Sequence, residues 1–340
     1  MIHETIKNGL ETIQKSLPKK EFQGKKVLIT GGAGFIGSWI TDLLVINKAE
    51  VTIIDDFSTG LSENIDHLVG KPNLKLIKKD ITKISLKEVG EHDLILNLAS
   101  RPTPDDYQLN PLQTLRISSI GTEVVLEAAR KYDAKILTAS TSEIYGDTQV
   151  IPTPETYWGN VNPTGPRSCY DEGKRYGEAL VTAYRRQYGL QTVIIRIFNT
   201  YGPRLRAEGT YGRALSRFID QALTGQPITV YGTGKQTRSF TYITDTAKGI
   251  LQATIAPKAI GETINIGNIQ ETTILQLAQT IKTLTKSTSK ITFKPLPQDD
   301  PKRRAPDITK AKQILGWIPQ IDLETGLRKT IEWFQEQHKG

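Results

Sequence analysis

Short apolar runs alternate with amphipathic stretches over the first 200 residues of the chain. The runs predict six buried strands: Val27–Thr30, Val51–Asp55, a third around Leu76–Ile81, Leu94–Ser100, a fifth from Ala134 and Leu190–Asn199. Apolar residues at helical spacing predict helices from Phe35, over Leu112–Tyr132 and over Ser168–Tyr188. Strands that alternate with helices in this way predict an α/β fold with a doubly wound parallel sheet. Ligands of such a sheet gather at the carboxyl ends of its strands.

Both ends of the chain depart from this alternation. Apolar residues in the first 23 positions recur at helical spacing, namely Ile6, Leu10, Ile13 and Leu17. This arm is either a helix that ends at Pro18 and docks on the body or on another subunit, or a frayed tail. After Asn199 the elements shorten, which predicts a smaller C-terminal α/β lobe that binds substrate. We therefore expect an arm at 1–23, a dinucleotide-binding domain at 24–198 to which 238–267 returns, and a substrate-binding lobe from 199–237 and 268–340.

A glycine-rich turn joins the first strand to the first helix. Gly32, Gly34 and Gly37 match G-x-G-x-x-G, and Gly31, Gly34 and Gly37 match a related spacing. This pattern predicts a Rossmann site in which a pyrophosphate meets the N-terminus of the helix. Asp55 ends the next strand, where a carboxylate accepts hydrogen bonds from the adenosine ribose; the alternative is an acid that caps an ordinary turn.

The residues around Asp55 also distinguish between two dinucleotides. Asp55 and Asp56 would repel a 2′-phosphate, and the following FSTGLSEN contains no Lys or Arg. NAD is therefore favoured over NADP.

Composition narrows the class of protein. The 340 residues are 37% hydrophobic and 24% charged, as in ordinary globular proteins, and no apolar run approaches the ~20 residues that span a bilayer. The N-terminus lacks the features of a signal peptide, and the single cysteine, Cys169, predicts a cytoplasmic protein without an internal disulfide. Four scattered histidines and one thiol give no metal-site pattern. The net charge of +8 is spread over helical polar faces, so we expect neither a nucleic-acid nor a membrane partner.

Tyr170 and Lys174 stand four residues apart on a predicted helix and therefore share a face. A tyrosine that acts as a base at neutral pH needs its pKa lowered by about three units, or about 4 kcal/mol. A nearby Lys⁺ and a bound nicotinamide cation both act in that direction. Thr141, at the end of the fifth strand, would hydrogen-bond the sugar hydroxyl that loses its proton. The alternative is an exposed helical pair without a catalytic role.

Eight segments together resemble the extended short-chain dehydrogenase/reductases: TGGAGFIG, DDFSTG, LASRPTP, STSEIYG, GPRSCYDEGKRYGE, RIFNTYGPR, YGTGKQTRSFTYITD and DDPKRRAPDITKAKQILGW. The likeness covers about residues 24–336. Within that group, YWGNVNP, CYDEGKR and DDPKRRAPDI are typical of the UDP-glucuronate decarboxylase branch. The resemblance implies that NAD is reduced and regenerated in each turnover while UDP-glucuronate becomes UDP-xylose through a UDP-4-keto-pentose. It also implies a homodimer held by a four-helix bundle from Leu112–Tyr132 and Ser168–Tyr188, and the first helix offers Leu115, Val125, Leu126 and Ala129.

The same resemblance implies three groups of site residues. The catalytic residues are Thr141, Ser142, Glu143, Tyr170, Lys174 and Arg238. The cofactor-binding residues are Gly31, Gly34, Phe35, Ile36, Gly37, Asp55, Asp56, Ser58, Thr59, Gly60, Asp80, Ile81, Leu98, Ser100, Tyr170, Lys174 and Thr200. The substrate-binding residues are Tyr107, Asn199, Arg213, Tyr231, Gln236, Arg238 and Arg304. Glu143 would order a water or help to protonate C5, and Arg238 would contact either the diphosphate or the sugar carboxylate.

Ser142 argues against one related reaction. Sugar-nucleotide 4,6-dehydratases carry Asp at this position to protonate the departing hydroxyl, and a serine hydroxyl is too weak an acid for that step. The remaining alternatives are a UDP-glucuronate 4-epimerase or another nucleotide-sugar epimerase and, from a different class, a non-catalytic NAD-binding protein. The chain keeps both Tyr170 and Lys174, which such non-catalytic proteins commonly lose.

Three features depart from the pattern of the family. Arg101 stands where a small residue or proline is usual, close to the expected sugar site. Ser118 replaces a usual asparagine, and the segment Leu205–Arg213 is two residues longer than is typical. Cys169, beside Tyr170, is expected to be a buried packing thiol.

Overall fold

A seven-stranded sheet forms the centre of the protein, for which a computed structural model describes residues 2–18, 20–209 and 212–338. Its strands are β1 (Lys26–Thr30), β2 (Glu50–Asp55), β3 (Leu74–Lys78), β4 (Leu94–Asn97), β5 (Lys135–Thr141), β6 (Thr192–Ile197) and β11 (Thr263–Ile266). They lie in the order β11-β6-β5-β4-β1-β2-β3, and all neighbours are parallel. The predicted Rossmann-type α/β fold is therefore confirmed.

Helices cover both faces of the sheet. They are α1 (Glu4–Ser16), α2 (Phe35–Ile46), α3 (Leu86–Val89), α4 (Pro104–Leu109), α5 (Pro111–Arg116), α6 (Thr122–Tyr132), α7 (Ser168–Tyr188), α8 (Ala214–Leu223), α9 (Ile243–Ile255), α10 (Ile274–Leu284), α11 (Thr309–Leu315) and α12 (Leu323–Gln337). Side chains alternate between the faces of a strand, so Val27 and Ile29 join one core with α2 and α9. Leu28 joins the opposite core with α6 and α7.

Several predicted boundaries differ from those of the structure. The third strand ends at Lys78, because Asp80 caps a short helical turn at Ile81–Lys83. The helix predicted over Leu112–Tyr132 is interrupted by a π-helical segment, Ile117–Gly121. The apolar residues before and after the segment each keep helical spacing, so the pattern predicts helix throughout and does not reveal a single π turn.

The N-terminal arm is a docked helix. Ile6, Leu10 and Ile13 of α1 are each at most 4% exposed and belong to the main core. The helix packs on α2, α9 and α12. Of the two alternatives for this arm, the structure therefore has the docked helix.

Three small pairs of strands build the region that lies over the carboxyl ends of the sheet. The remaining strands are β7 (Thr200–Tyr201), β8 (Ile228–Tyr231), β9 (Thr237–Ser239), β10 (Thr241–Tyr242), β12 (Glu271–Thr273) and β13 (Ile291–Lys294). Strand β7 pairs with β10, β8 with β13, and β9 with β12. Helices α8, α10 and α12 pack together beside them.

Most of the apolar positions suggested for an intersubunit bundle are buried within the chain itself. Val125, Leu126 and Ala129 are fully buried in the core between α6, α7 and the sheet, and only Leu115 is partly exposed. Val125, Leu126 and Ala129 were therefore wrong as intersubunit contacts, and Leu115 stays a prediction. The exposed large apolar residues of these helices are Leu112, Leu115, Ile120, Tyr176 and Tyr188.

Candidate active site

A cavity of about 470 Å³ opens at the carboxyl ends of the strands, beneath the smaller lobe. It brings together nearly all of the predicted site residues. Those that line it are Gly31, Gly34, Phe35, Ile36, Gly37, Asp55, Asp56, Ser58, Thr59, Asp80, Ile81, Leu98, Ser100, Thr141, Ser142, Glu143, Tyr170, Lys174, Asn199, Thr200, Arg213, Tyr231, Gln236, Arg238 and Arg304. Gly60 and Tyr107 lie outside this lining.

The glycine turn between β1 and α2 is closely packed. A Cβ on Gly37 would lie 2.0 Å from the carbonyl oxygen of Gly31, so only glycine lets the helix approach the turn. Gly31 has a φ of +72°, which glycine adopts without strain, and its own Cβ would lie 2.8 Å from the backbone of Ala99. Gly34 caps the helix without a side-chain hydrogen bond, and the first turn has no acidic residue. The first turn of α2 therefore presents backbone N–H groups and carries no acidic residue of its own, as a diphosphate requires.

Two aspartates line the wall beyond this turn. Asp55 Oδ2 accepts from the N–H of Ala33 and Oδ1 from the N–H of Phe57, each at 2.9 Å. Burial raises the pKa of Asp55, although these two backbone bonds oppose the shift. Asp80 accepts from Thr82 and Gln113. Both carboxylates are thus held in fixed orientations at the ends of β2 and β3.

Tyr170 and Lys174 lie in the first turns of α7, next to the end of β5. Burial and the nearby Glu143 carboxylate raise the pKa of Tyr170 to about 12, although Arg213 and a hydrogen bond with Thr141 oppose this shift. Burial lowers the pKa of Lys174 to about 8, and its ammonium donates to the Ala139 carbonyl at 3.0 Å. The chain's own groups therefore do not produce the lowered pKa that was expected for Tyr170. The raised value has a physical cause, since a buried phenol beside a carboxylate resists ionisation.

Glu143 lies between two arginines. Arg167 donates to Oε2 of Glu143, and Arg304 donates to Oε1 at 3.0 Å. Burial by itself raises the pKa of Glu143, but the two guanidinium groups outweigh burial and lower the pKa to about 2. Glu143 is therefore a carboxylate at neutral pH, which argues against the expectation that it donates a proton to C5.

Two further carboxylates complete this charge cluster, which comprises Glu143, Asp171, Asp300, Arg167, Arg238 and Arg304. Asp300 accepts from Nη2 of Arg238 at 3.0 Å and lies 3.8 Å from Nη1 of Arg167. Asp171 lies 4.0 Å from Nε of Arg167. Burial and the charge of Glu143 raise the pKa of Asp171 to about 7.

Tyr107 supports the site from behind. Its ring is fully buried and stacks on the ring of Tyr170 with centroids 5.1 Å apart and planes 1° apart. Tyr107 therefore packs against Tyr170 and does not line the cavity, so its assignment as a substrate-binding residue is not supported by its position. Cys169 is the expected buried thiol and contacts the carbonyl of Tyr107.

Sequence reasoning missed Arg167, Asp300, Arg206 and Arg217, which also line the cavity. Arg167 directly precedes Ser168 in GPRSCYDEGK, one of the segments that carried the resemblance, so this signal was available. Arg206 lies in no motif.

The three features that depart from the family pattern lie in different parts of the structure. Arg101 pairs with Asp106 at 2.6 Å and does not itself line the cavity, although its neighbours Ser100 and Pro102 do. Ser118 is buried in the π-helical segment and faces Gly173 of α7. The long segment Leu205–Arg213 includes Thr210 and Tyr211, which lie outside the described residues.

The family model described as GDP-mannose 4,6 dehydratase matches residues 28–330. UDP-glucuronic acid decarboxylase 1 of Danio rerio is 47% identical over 331 residues, which are 96% of this chain and 78% of that protein. UDP-glucuronic acid decarboxylase 5 of Arabidopsis thaliana is 46% identical over 91% of this chain and 89% of that protein. The chain belongs to the UDP-glucuronic acid decarboxylase family. As a member of that family it is an enzyme of the extended short-chain dehydrogenase/reductase group.

Solved structures of related enzymes share the whole fold. The UDP-glucuronic acid 4-epimerase of Bacillus cereus, in complex with UDP-glucuronic acid and NAD, has a TM-score of 0.83 and 30% identity over 92% of this chain and 99% of that one. The UDP-glucose 4-epimerase of Thermotoga maritima has a TM-score of 0.84 with the same identity and the same coverage of both chains.

Two further properties concern the described residues only. Over 2–18, 20–209 and 212–338, no three His, Cys, Asp or Glu side chains are grouped so that they could hold a metal ion. In the same part of the chain, no helix is both long and apolar enough to cross a bilayer.

Proposed function

We propose that the cavity binds NAD and UDP-glucuronate and converts the latter to UDP-xylose through a UDP-4-keto-pentose. The observation that carries this proposal is the arrangement of the Tyr170–Thr141–Lys174 group beside a cluster of three arginines in one cavity. The first group suits proton removal from a sugar hydroxyl, and the second suits a carboxylated sugar nucleotide. The decarboxylase relatives act on UDP-glucuronic acid, as their name states.

The cavity fits the dinucleotide. The glycine turn would hold the diphosphate, because Gly37 lets α2 lie close against the turn and the helix end offers N–H groups. Asp55 would hold the adenosine ribose, and together with Asp56 it disfavours a 2′-phosphate. In this site bound NAD⁺ would supply the hydride acceptor for oxidation at C4 and the hydride for the closing reduction.

Tyr170 accepts the proton of the 4-hydroxyl group in this proposal, and Thr141 orients that hydroxyl. The position of Lys174, buried on the same face of α7, supports a role in holding the nicotinamide ribose. Because the protein alone keeps Tyr170 as a neutral phenol, ionisation of Tyr170 must be coupled to events at the bound ligands. At the end of the turnover Tyr170 returns its proton to the C4 oxygen.

The new ketone at C4 is β to the carboxylate at C5, so loss of CO₂ leaves the electron pair in a stabilised enolate. Arg238 and Arg304 supply positive charge for the diphosphate, the carboxylate or the enolate. Glu143, held ionised by Arg167 and Arg304, orders a water that reaches C5 rather than acting as the acid itself. Protonation at C5 then gives the pentose.

Ser142 separates this reaction from dehydration, to which the description of the family model refers. Ser142 directly follows β5 and is 2% exposed, and its hydroxyl is too weak an acid to protonate the departing C6 hydroxyl. An epimerase shares the first oxidation but keeps its carboxylate. UDP-glucuronate 4-epimerase is therefore the second candidate, supported by the likeness to the Bacillus cereus enzyme.

Product analysis tests the proposal. We expect purified protein with NAD⁺ and UDP-glucuronate to release CO₂ in equal amount with UDP-xylose and without net NADH, as followed by mass spectrometry and absorbance. UDP-glucose lacks the carboxylate and should release no CO₂. A product of unchanged mass, identified as UDP-galacturonate, would assign the protein as an epimerase.

The proposal also includes a homodimeric assembly and a cytoplasmic location. The exposed Leu112, Leu115, Ile120 and Tyr176 on α5, the π-helical segment and α7 support a homodimer through this face. A monomeric mass by light scattering at micromolar concentration would contradict the dimer. The single buried cysteine is compatible with a cytoplasmic protein.

A further inference from the structure

Arg206 connects two walls of the cavity at its open side. It follows β7 in the chain, and its Nη1 donates to the carbonyl oxygen of Thr59 at 3.2 Å. Thr59 belongs to the loop after β2 on the opposite wall, and both residues line the cavity. Nε of Arg206 pairs with Glu208, which holds the guanidinium in this direction. The Arg206 side chain is 20% exposed, so the contact lies at the mouth rather than in the depth of the cavity.

The segment that carries Arg206 has a fixed base on α2. The buried guanidinium of Arg204 donates to Oδ2 of Asp42 at 2.7 Å, and the indole N–H of Trp39 donates to the Pro203 carbonyl at 3.2 Å. Leu205 is buried in the main core. Because these contacts anchor the residues just before it, Arg206 extends towards Thr59 from a rigid support.

We propose that Arg206 retains the bound dinucleotide: its contact with Thr59 closes the cavity beside Asp55 and Ser58 and must break before the cofactor leaves. This inference rests on the proposed function, because it takes NAD as the ligand of that part of the cavity. The guanidinium also places a positive charge beside a ligand that carries a diphosphate. Arg206 is thus a positioning residue for the cofactor and takes no part in the chemistry on the sugar.

The position of Arg206 explains why no motif predicts it. It lies in Leu205–Arg213, the segment that is two residues longer than is typical of the resemblance, between YGPR and the residues of α8.

Release of NAD from the full chain tests the proposal. The protein is loaded with radiolabelled NAD⁺, an excess of unlabelled NAD⁺ is added, and the label retained is measured over time after rapid desalting. Arg206→Met keeps the aliphatic length but removes the donor, and we expect the rate constant for release to rise about fivefold, as for loss of one hydrogen bond. Glu208→Gln, which loosens the guanidinium, should give a smaller rise. Arg328→Met is the matched control, because Arg328 is an exposed arginine of α12 that pairs only with Glu324 among the described contacts.

The outcomes separate this inference from the proposed function. Faster release from both variants at Arg206 and Glu208, with an unchanged control and unchanged circular dichroism, supports retention by Arg206. Release at the wild-type rate from Arg206→Met overturns the inference and leaves NAD dependence intact. Wild-type protein that binds no labelled NAD⁺ overturns the cofactor assignment, and with it this inference.

Discussion

The charge cluster around Glu143 makes the stability of the protein depend on pH in a defined way. Glu143→Gln removes the carboxylate that both Arg167 and Arg304 contact. The oxygen of the glutamine amide accepts a hydrogen bond from one guanidinium. Its NH₂ group faces the other guanidinium, which has no acceptor for it. The change is best made in an Asp171→Asn background, because Asp171 titrates at about 7 under the influence of Glu143 and would otherwise contribute its own pH dependence.

Two routes give the size of the effect. Removal of one partner from a buried ion pair costs about 3–5 kcal/mol. The shift in the pKa of Glu143 from 4.5 to about 2 corresponds to about 3 kcal/mol, at about 1.4 kcal/mol per unit. With about 2 °C per kcal/mol for a protein of this size class, we expect the melting temperature at pH 7 to fall by about 6 °C.

The sign of the pH dependence follows from the lowered pKa. A carboxyl whose folded-state pKa is depressed contributes stability above its ordinary value of 4.5, and this contribution is lost as pH falls towards 2. The difference in the free energy of unfolding between the Asp171→Asn protein and the double variant should therefore be about 1 kcal/mol smaller at pH 3.5 than at pH 7. Thermal melts followed by circular dichroism at both pH values measure it. No difference at pH 7, or a difference that is the same at pH 3.5, would refute the reasoning.

Three further predictions concern the chemistry, the cofactor site and the assembly. Tyr170→Phe should lower turnover by about 10²- to 10⁴-fold while NAD binding stays close to wild type, and near-normal turnover would contradict the role of Tyr170. Gly37→Ala should abolish NAD binding measured by calorimetry, because its Cβ would lie 2.0 Å from the Gly31 carbonyl oxygen; retained affinity would show that the helix can move away. Leu112→Glu, at a residue that is 68% exposed, should convert the expected dimer to a monomer in light scattering, and an unchanged dimer would place the interface elsewhere.

Local patterns along the chain were sufficient to predict much of the fold. Strands β1 and β2 and helix α2 could be predicted because their apolar runs and the glycines at Gly31, Gly34 and Gly37 are contiguous in sequence. The bounds of α7 at Ser168–Tyr188 were predicted as observed. The π-helical segment, which packs against α7, was missed, and so was the end of β3, where Asp80 caps the following helical turn. The fourth strand was also predicted too long, since β4 ends at Asn97.

The sequence motifs also identified the family, and nearly all of the site residues that they predicted line the cavity. Their electrostatics could not be predicted in the same way. Glu143, Arg167 and Arg304 are far apart in the chain, and only the fold places both guanidinium groups on one carboxylate. The pKa of Tyr170 rises rather than falls for the same reason, since burial and the Glu143 charge depend on tertiary contacts.

Tertiary structure likewise decided where Tyr107, Arg101 and Arg206 lie. Tyr107 stacks behind Tyr170, Arg101 pairs with Asp106, and Arg206 reaches Thr59. Motifs and periodicity depend on residues that are neighbours in the chain, so they can be recognised from the sequence alone. The direction of a long side chain depends instead on partners that only folding brings near. The sequence therefore determined the fold and the family, and the tertiary structure determined the charges and contacts of the site.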